Sequence, residues 1–124
     1  MEAGASARDA AHTMRDDDVG AVIVLEGGDL YGIVTDRDIV VRAVAEGLDP
    51  AATVVSEVCS KNPTAIERDA SNDDAVGLMR EHALRRLPVT EGDQPVGIVA
   101  LGDLAVERDS DSALADISAT EPNR

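Results

Sequence analysis

The chain repeats itself. At an offset of 65 positions Asp9-Ala10 falls on Asp74-Ala75, Met14-Arg15 on Met79-Arg80 and Val24 on Val89. The same offset, with no gap, places Glu26-Gly27 on Glu91-Gly92, Gly32-Ile33-Val34 on Gly97-Ile98-Val99 and Asp38 on Asp103. Charged and turn residues match along with apolar ones, so alternating hydrophobicity alone does not explain the register. A repeat of this size is a supersecondary unit used twice. Each copy reads helix, strand, turn, strand, helix. A two-stranded hairpin is marginal by itself, so two copies packed sheet to sheet are expected to share a core. The fold class is therefore α/β of the α+β kind: two pseudo-two-fold-related units, each a small sheet packed with two helices.

Local patterning fills in the copies. Ala7, Ala10, Ala11 and Met14 recur at helical spacing, predicting a helix over residues 1–18. Asp16-Asp17-Asp18 opposes the helix dipole and ends it. Residues 19–25 and 30–35 read as strands joined by a Gly27-Gly28 turn, and a helix runs from Asp36 to about Glu46 with Gly47 beyond it. Residues 53–60 suit a short helix with Val54, Val55 and Val58 on its apolar face. Lys61-Asn62-Pro63 breaks it, because the residue before proline avoids the α region. The second copy has an extended piece at 64–66, a helix over 71–82 capped by Ser71 with Asp74, strands at 87–90 and 95–100, and a helix from Leu101. Pro88 lacks an N–H and belongs at a strand start, an edge or a bulge. Met14 and Met79 are equivalent core positions. The resulting division is residues 1–50, a linker at 51–62 with the short helix, residues 63–108, and an acidic frayed tail at 109–124 in which Leu114, Ala115 and Ile117 dock weakly. Met1 falls on Ile66, so the first copy is expected to lack its opening strand and the native chain to have further N-terminal residues.

Composition narrows the function. Acids outnumber bases 25 to 11, a formal net charge of −14. That charge disfavours DNA and anionic membrane surfaces, which need a basic face, but not a small anionic ligand, which sees only local charge. Tyr31 is the sole aromatic residue, so the core is aliphatic. Cys59 is the sole cysteine, so no intrachain disulfide or thiolate cluster forms. No apolar run reaches membrane-span length. The expected setting is cytoplasmic.

The chemistry concentrates at Gly32-Ile33-Val34-Thr35-Asp36-Arg37-Asp38. A β-branched strand turns directly into a helix there. The first amides of a helix lack internal partners and the dipole is positive, which makes the junction a candidate anion site. Thr35 can donate to a phosphate, and Asp38 can accept from the paired hydroxyls of a ribose. Thr35 and Asp38 also have capping-box spacing, so a purely local capping role fits the same residues.

The doubled motif resembles the CBS domain, usually found in tandem pairs called Bateman modules. The resemblance rests on Gly32 through Asp38, on its degraded copy Gly97-Ile98-Val99-Ala100-Leu101-Gly102-Asp103, and on the lead-in from Leu78 to Val89, with its first copy from Met14 to Val24. It spans roughly residues 3–106. It implies a regulatory module binding an adenosyl ligand (AMP, ADP, ATP or S-adenosylmethionine) in a cleft between the copies, with no cofactor required. Carried over by residue, Thr35 faces phosphate, Asp38 faces ribose, Pro63, Thr64 and Ala65 flank the base, and Arg85 and Arg86 face the phosphates. Arginine suits that role because its planar fork bonds phosphate oxygens in pairs. The second site is degraded: Asp103 remains, Ala100 replaces the threonine, and Gly20 and Ala21 stand where the other copy has the arginines. One competent site per chain follows.

The remaining residues have plainer readings. His12 and His82 lack partners at metal-ligand spacing, and no metal site is expected. Cys59 reads as a packing residue rather than a nucleophile. There is no Gly-x-Gly-x-x-Gly, P-loop, His-Glu-x-x-His or nucleophile elbow, so no enzyme is indicated. The resemblance also implies a homodimer, since family modules pair into discs, and an effector protein that reads the bound state. The alternative is a ligand-free module that dimerises or binds a partner protein.

Overall fold

The computed structural model describes residues 1–108; the tail expected from 109 onward lies outside them. Two compact units divide the chain, the first Met1–Pro63 and the second beginning at Thr64.

The first unit contains α1 (Ala7–Asp17), β1 (Ala21–Glu26), β2 (Asp29–Thr35), α2 (Asp36–Ile39), α3 (Val55–Val58) and β3 (Ser60–Lys61). Helix α2 runs directly into a π-helical turn, Val40–Val44. The second unit contains β4 (Ile66–Glu67), α4 (Asn72–His82), β5 (Arg86–Glu91), β6 (Gln94–Ala100) and α5 (Leu101–Arg108).

Repeated sequence produces repeated caps. Ser6 accepts from the Asp9 amide while Asp9 accepts from the Ser6 amide, and Ser71 and Asp74 do the same at α4. Each box satisfies two amides that a helix start leaves without partners. Both helices end on a left-handed residue, Asp18 at φ 54° and Ala83 at φ 53°. The amides that follow close equivalent bonds, Val19 N–H to Met14 O at 3.0 Å and Leu84 N–H to Met79 O at 2.8 Å.

The hairpins differ in detail. Gly27 and Gly28 both have positive φ, which matches the right-handed twist of the flanking strands. In the second hairpin only Gly92, the first turn residue, has positive φ. A register shift leaves Tyr31 as the extra residue in β2, and the equivalent shift leaves Val96 extra in β6. Pro88 is the third residue of β5, and β4 begins its pairing only at Val89. No ladder on that side needs the amide that proline lacks.

Sheet topology separates the units. The first sheet has the order β1-β2-β3, the second β4-β5-β6. β3 pairs antiparallel with β2 through Gly32–Lys61 and Ile33–Ser60. This strand sits where the sequence predicts the end of a helix over 53–60; α3 is shorter, and Ser60 and Lys61 are extended against β2. The contact is intimate: a Cβ on Gly32 would lie 2.5 Å from the Ser60 carbonyl oxygen and 2.9 Å from Cys59 Sγ. Gly97 occupies the equivalent place in β6, where an added Cβ would meet nothing within 4 Å.

Where the first copy is expected to lack its opening strand, no strand forms, but residues 1–3 pair with β1 through an isolated bridge. Glu2 bridges Leu25 in parallel, and Ala3 N–H donates to Leu25 O at 2.8 Å. In the second unit Glu67 pairs with Thr90 in parallel, and Arg68 N–H donates to Thr90 O at 2.8 Å. Backbone bonds make this pairing, so a short run with no β-rich side chains suffices. Helix α1 accordingly starts at Ala7, behind its Ser6 cap, and not at residue 1.

Each unit has its own cluster of buried side chains. Ala7, Ala10, Met14, Val24, Val34, Ile39, Ala43, Val55, Val58 and Cys59 fill the first. Ile66, Ala75, Met79, Leu87 and Leu104 fill the second. Met14 and Met79 are both buried, as their equivalence predicts.

Candidate functional site

The strand-to-helix junction of the first unit is built by β1 and β2. Ala21 pairs with Thr35 at the ends of the strands. One residue further on, the Asp36 amide donates to the Gly20 carbonyl at 3.0 Å. The second unit reproduces this contact: Arg86 pairs with Ala100, and the Leu101 amide donates to the Arg85 carbonyl at 2.8 Å.

Thr35 is the N-cap of α2, in extended conformation. Its Oγ1 accepts from the Asp38 amide at 3.1 Å, and Asp38 Oδ2 accepts from the Thr35 amide at 2.9 Å. The capping reading of these residues is therefore realised. It accounts for one carboxylate oxygen and for one acceptor site on the hydroxyl. The Thr35 hydroxyl proton is not consumed by accepting a bond, and Asp38 Oδ1 is outside the box.

The expectation of free helix amides at this junction is corrected. The Asp36 amide serves Gly20 O, the Arg37 amide donates to Asp36 Oδ1 at 2.8 Å, and the Asp38 amide serves Thr35. Two carboxylates, Asp36 and Asp38, also sit in the first turn. An anion there would compete with internal acceptors that already complement the dipole.

Asp38 has a partner that sequence reasoning missed. Arg42 Nε lies 3.8 Å from Asp38 Oδ1, an ion pair one helical turn apart. The Arg42 guanidinium also donates through Nη1 to the Cys59 carbonyl at 3.1 Å and to the Val58 carbonyl at 3.4 Å. The carboxylate side chain is 14% exposed and the arginine 49%. The i,i+4 spacing was the available signal; the carbonyl partners come from distant chain.

Arg85 is exposed and Arg86 half-buried, and both stand beside the degraded motif of their own unit. There Asp103 Oδ2 accepts from the Ala100 amide at 3.2 Å. Ala100 has no side-chain oxygen to return the bond, so half of the box is gone. Gly20 and Ala21 are buried beside Thr35. Pro63 closes the first unit, and Thr64 and Ala65 open the second; all three are half-buried in the extended lead into β4.

Cys59 is buried, and burial pushes its thiol above the ordinary range, opposed by the Lys61 charge. Its Sγ lies 3.6 Å from the Ser56 carbonyl. This is the environment of a packing cysteine. His12 is half-buried in α1 and His82 exposed in α4. Among the described residues no group of three or more His, Cys, Asp or Glu could hold a metal ion, and no helix is long and apolar enough to cross a membrane.

Two successive units of this topology, each with an acid at the start of its closing helix, define a tandem α+β repeat protein. The family model for the CBS domain matches residues 2–44 and 55–109. The chain belongs to the CBS-domain family, as a tandem pair. It is 46% identical over 115 residues to the CBS domain-containing protein YhcV of Bacillus subtilis, covering 90% of this chain and 81% of that protein. Among solved structures it is similar to Hypoxic Response Protein I with two coordinated zinc ions, at TM-score 0.77 and 34% identity, over 85% of this chain and 86% of that one. It is also similar to the CBS domain protein PAE2072 from Pyrobaculum aerophilum complexed with AMP. That match has TM-score 0.78 and 25% identity, over 98% of this chain and 90% of that one.

Proposed function

We propose that this chain is a regulatory module that binds an adenosyl ligand, AMP, ADP, ATP or S-adenosylmethionine, at one competent site, without catalysing a reaction. The carrying observation is the Thr35–Asp38 pair, which keeps a donor hydroxyl and a carboxylate oxygen outside its own capping bonds. A ribose diol needs such an acceptor and a phosphate oxygen such a donor. The AMP complex of a structurally similar CBS protein supports the ligand class. This reading assigns base contacts to Pro63, Thr64 and Ala65 and phosphate contacts to Arg85 and Arg86. It assigns no ligand to Asp103 with Gly20 and Ala21, because Ala100 offers no hydroxyl. A ligand with unequal affinity for two states of the module shifts their populations, which an effector protein then reads. We place the module in the cytoplasm, a reducing setting in which a lone thiol such as Cys59 stays reduced.

The test is a thermal-shift screen with the four ligands, followed by titration calorimetry. A ligand that binds only the folded state raises the melting temperature by mass action. Asp38→Ala should abolish the shift, and calorimetry should give one site per chain. No shift with any of the four, or two equal sites, overturns the reading.

A second reading is favoured by one surface feature. Val40, Val41, Val44 and Leu48 are all exposed, Val40 and Val44 at 58% each. A row of large apolar side chains at helical spacing is costly in water and suits self-association. A ligand-free module that forms a homodimer or binds a partner protein accounts for it. Sedimentation of the wild type against Val44→Lys tests this: dissociation supports it, and a monomeric wild type sinks it.

A further inference from the structure

We infer that Arg42 is a positioning residue for the ligand site, acting through Asp38; the inference rests on the adenosyl-ligand reading above. The two oxygens of the Asp38 carboxylate have different surroundings. Oδ2 is held by the Thr35 amide at 2.9 Å, which fixes one edge of the group. Oδ1, the oxygen left for a ligand hydroxyl, faces Arg42 Nε at 3.8 Å. That distance exceeds a hydrogen bond, so the arginine orients the carboxylate by charge while leaving the lone pairs of Oδ1 open to a donor.

The arginine is itself held in place. Its Nη1 donates to the Cys59 carbonyl at 3.1 Å and the Val58 carbonyl at 3.4 Å. These are carbonyls at the end of α3, where a cation is favoured. The same stretch is pinned to β2 by the Gly32–Lys61 and Ile33–Ser60 pairs, with the Ser60 carbonyl pressed against Gly32. One guanidinium therefore joins the ligand-facing carboxylate to a stretch of backbone that cannot move freely. The helix geometry assists: at residue 40 the backbone enters the π-helical turn, and Arg42 lies within it, where the Ala45 amide reaches back to the Val40 carbonyl at 2.8 Å. π turns re-aim side chains relative to a regular helix. The bland account is that Arg42 only caps α3, and its pairing with Asp38 is an incidental surface contact.

Two substitutions separate these accounts. Arg42→Gln keeps an N–H donor for the carbonyls but removes the charge facing Asp38. Arg42→Lys keeps the charge but loses the planar fork. AMP is titrated calorimetrically into wild type and both variants, and each variant's denaturant midpoint is recorded. Positioning through Asp38 predicts that Arg42→Gln weakens AMP binding about fivefold or more, the low end of measured couplings between sites. Arg42→Lys should stay within about twofold of wild type, by retaining the charge that orients Asp38. Equal affinity of Arg42→Gln and wild type overturns the inference. So does a loss in Arg42→Lys as large as in Arg42→Gln, which assigns the role to the carbonyl clamp. Should Arg42→Gln fail to fold, Arg42→Met, which also lacks the charge, takes its place in the same titration: weakened binding beside a retained Arg42→Lys supports the inference, and unchanged binding overturns it. Wild type that takes no AMP refutes the site reading as well as the inference, whereas wild type that binds beside an unaffected Arg42→Gln refutes the inference alone.

Discussion

The two units carry the same plan with different degrees of completion, and the differences fall on the same two places. At the junction, Thr35 and Asp38 bond reciprocally, whereas Ala100 has no side-chain oxygen to return the bond that its amide donates to Asp103. At the sheet edge, β2 carries β3 and its Gly32 is pressed by the Ser60 carbonyl, whereas β6 has no further strand among the described residues and a Cβ on its Gly97 would meet nothing. A side chain needed for a bond or a glycine needed for close approach is functional only where the surroundings ask for it. A matching residue in a repeat does not by itself carry a matching role.

The core offers the largest test of this comparison. Leu87 is fully buried in the second cluster, while its equivalent Val22 is only partly buried against the first. Leu87→Ala should cost about 2–5 kcal/mol, the range for large-to-small core changes, and Val22→Ala clearly less. Urea unfolding of both variants measures this, and equal costs would break the difference in packing.

Next in size are the paired glycines. Gly32→Ala should destabilise by about 1–3 kcal/mol, because a backbone carbonyl has to shift to admit the methyl group. Gly97→Ala should be neutral or slightly stabilising, by less than about 1 kcal/mol, through the lost freedom of the unfolded chain. Denaturant midpoints that move equally would show that β3 does not confine Gly32.

The caps follow. Thr35→Ala should lose about 1 kcal/mol with its capping bond. Ala100→Thr should gain up to about that amount by completing the second box. An Ala100→Thr variant no more stable than wild type would mean that Asp103 cannot present its amide to residue 100.

The smallest effect concerns pH. Burial raises the Cys59 thiol in the folded state. The neutral form is thus favoured by folding. The associated stability is fully present below the ordinary thiol range and is lost as pH rises through the raised value. Cys59→Ala should flatten the alkaline limb of the stability curve, and native Cys59 should react slowly with iodoacetamide at mildly alkaline pH. An unchanged alkaline limb in the variant would remove Cys59 as its cause.

Much of the fold was legible because it is local. The Ser71–Asp74 and Thr35–Asp38 boxes follow from residues three apart, and the turns at Gly27-Gly28 and Gly92 from residues that tolerate positive φ. Helix spacing placed Met14 and Met79 in cores. What escaped was pairing between distant backbone. Ser60 and Lys61 have no strand-forming side chains, yet the bare edge of β2 takes their main chain. Residues 1–3 join β1 for the same reason. The amides of the α2 start looked free because the Gly20 carbonyl that occupies one of them comes from another strand.

At the junction the division is clear. By itself the sequence determined that a strand ends in Thr35, that a helix starts behind it, and that Asp38 stands where it can cap that helix or meet a ligand. Spacing along one chain segment decides those facts. Only the tertiary structure decided which carboxylate oxygen is left outside the capping bonds, that the first amides of α2 are already engaged, and that Arg42 links Asp38 to the carbonyls of Val58 and Cys59. Those depend on three-dimensional closeness of residues far apart in the chain, which no local pattern records.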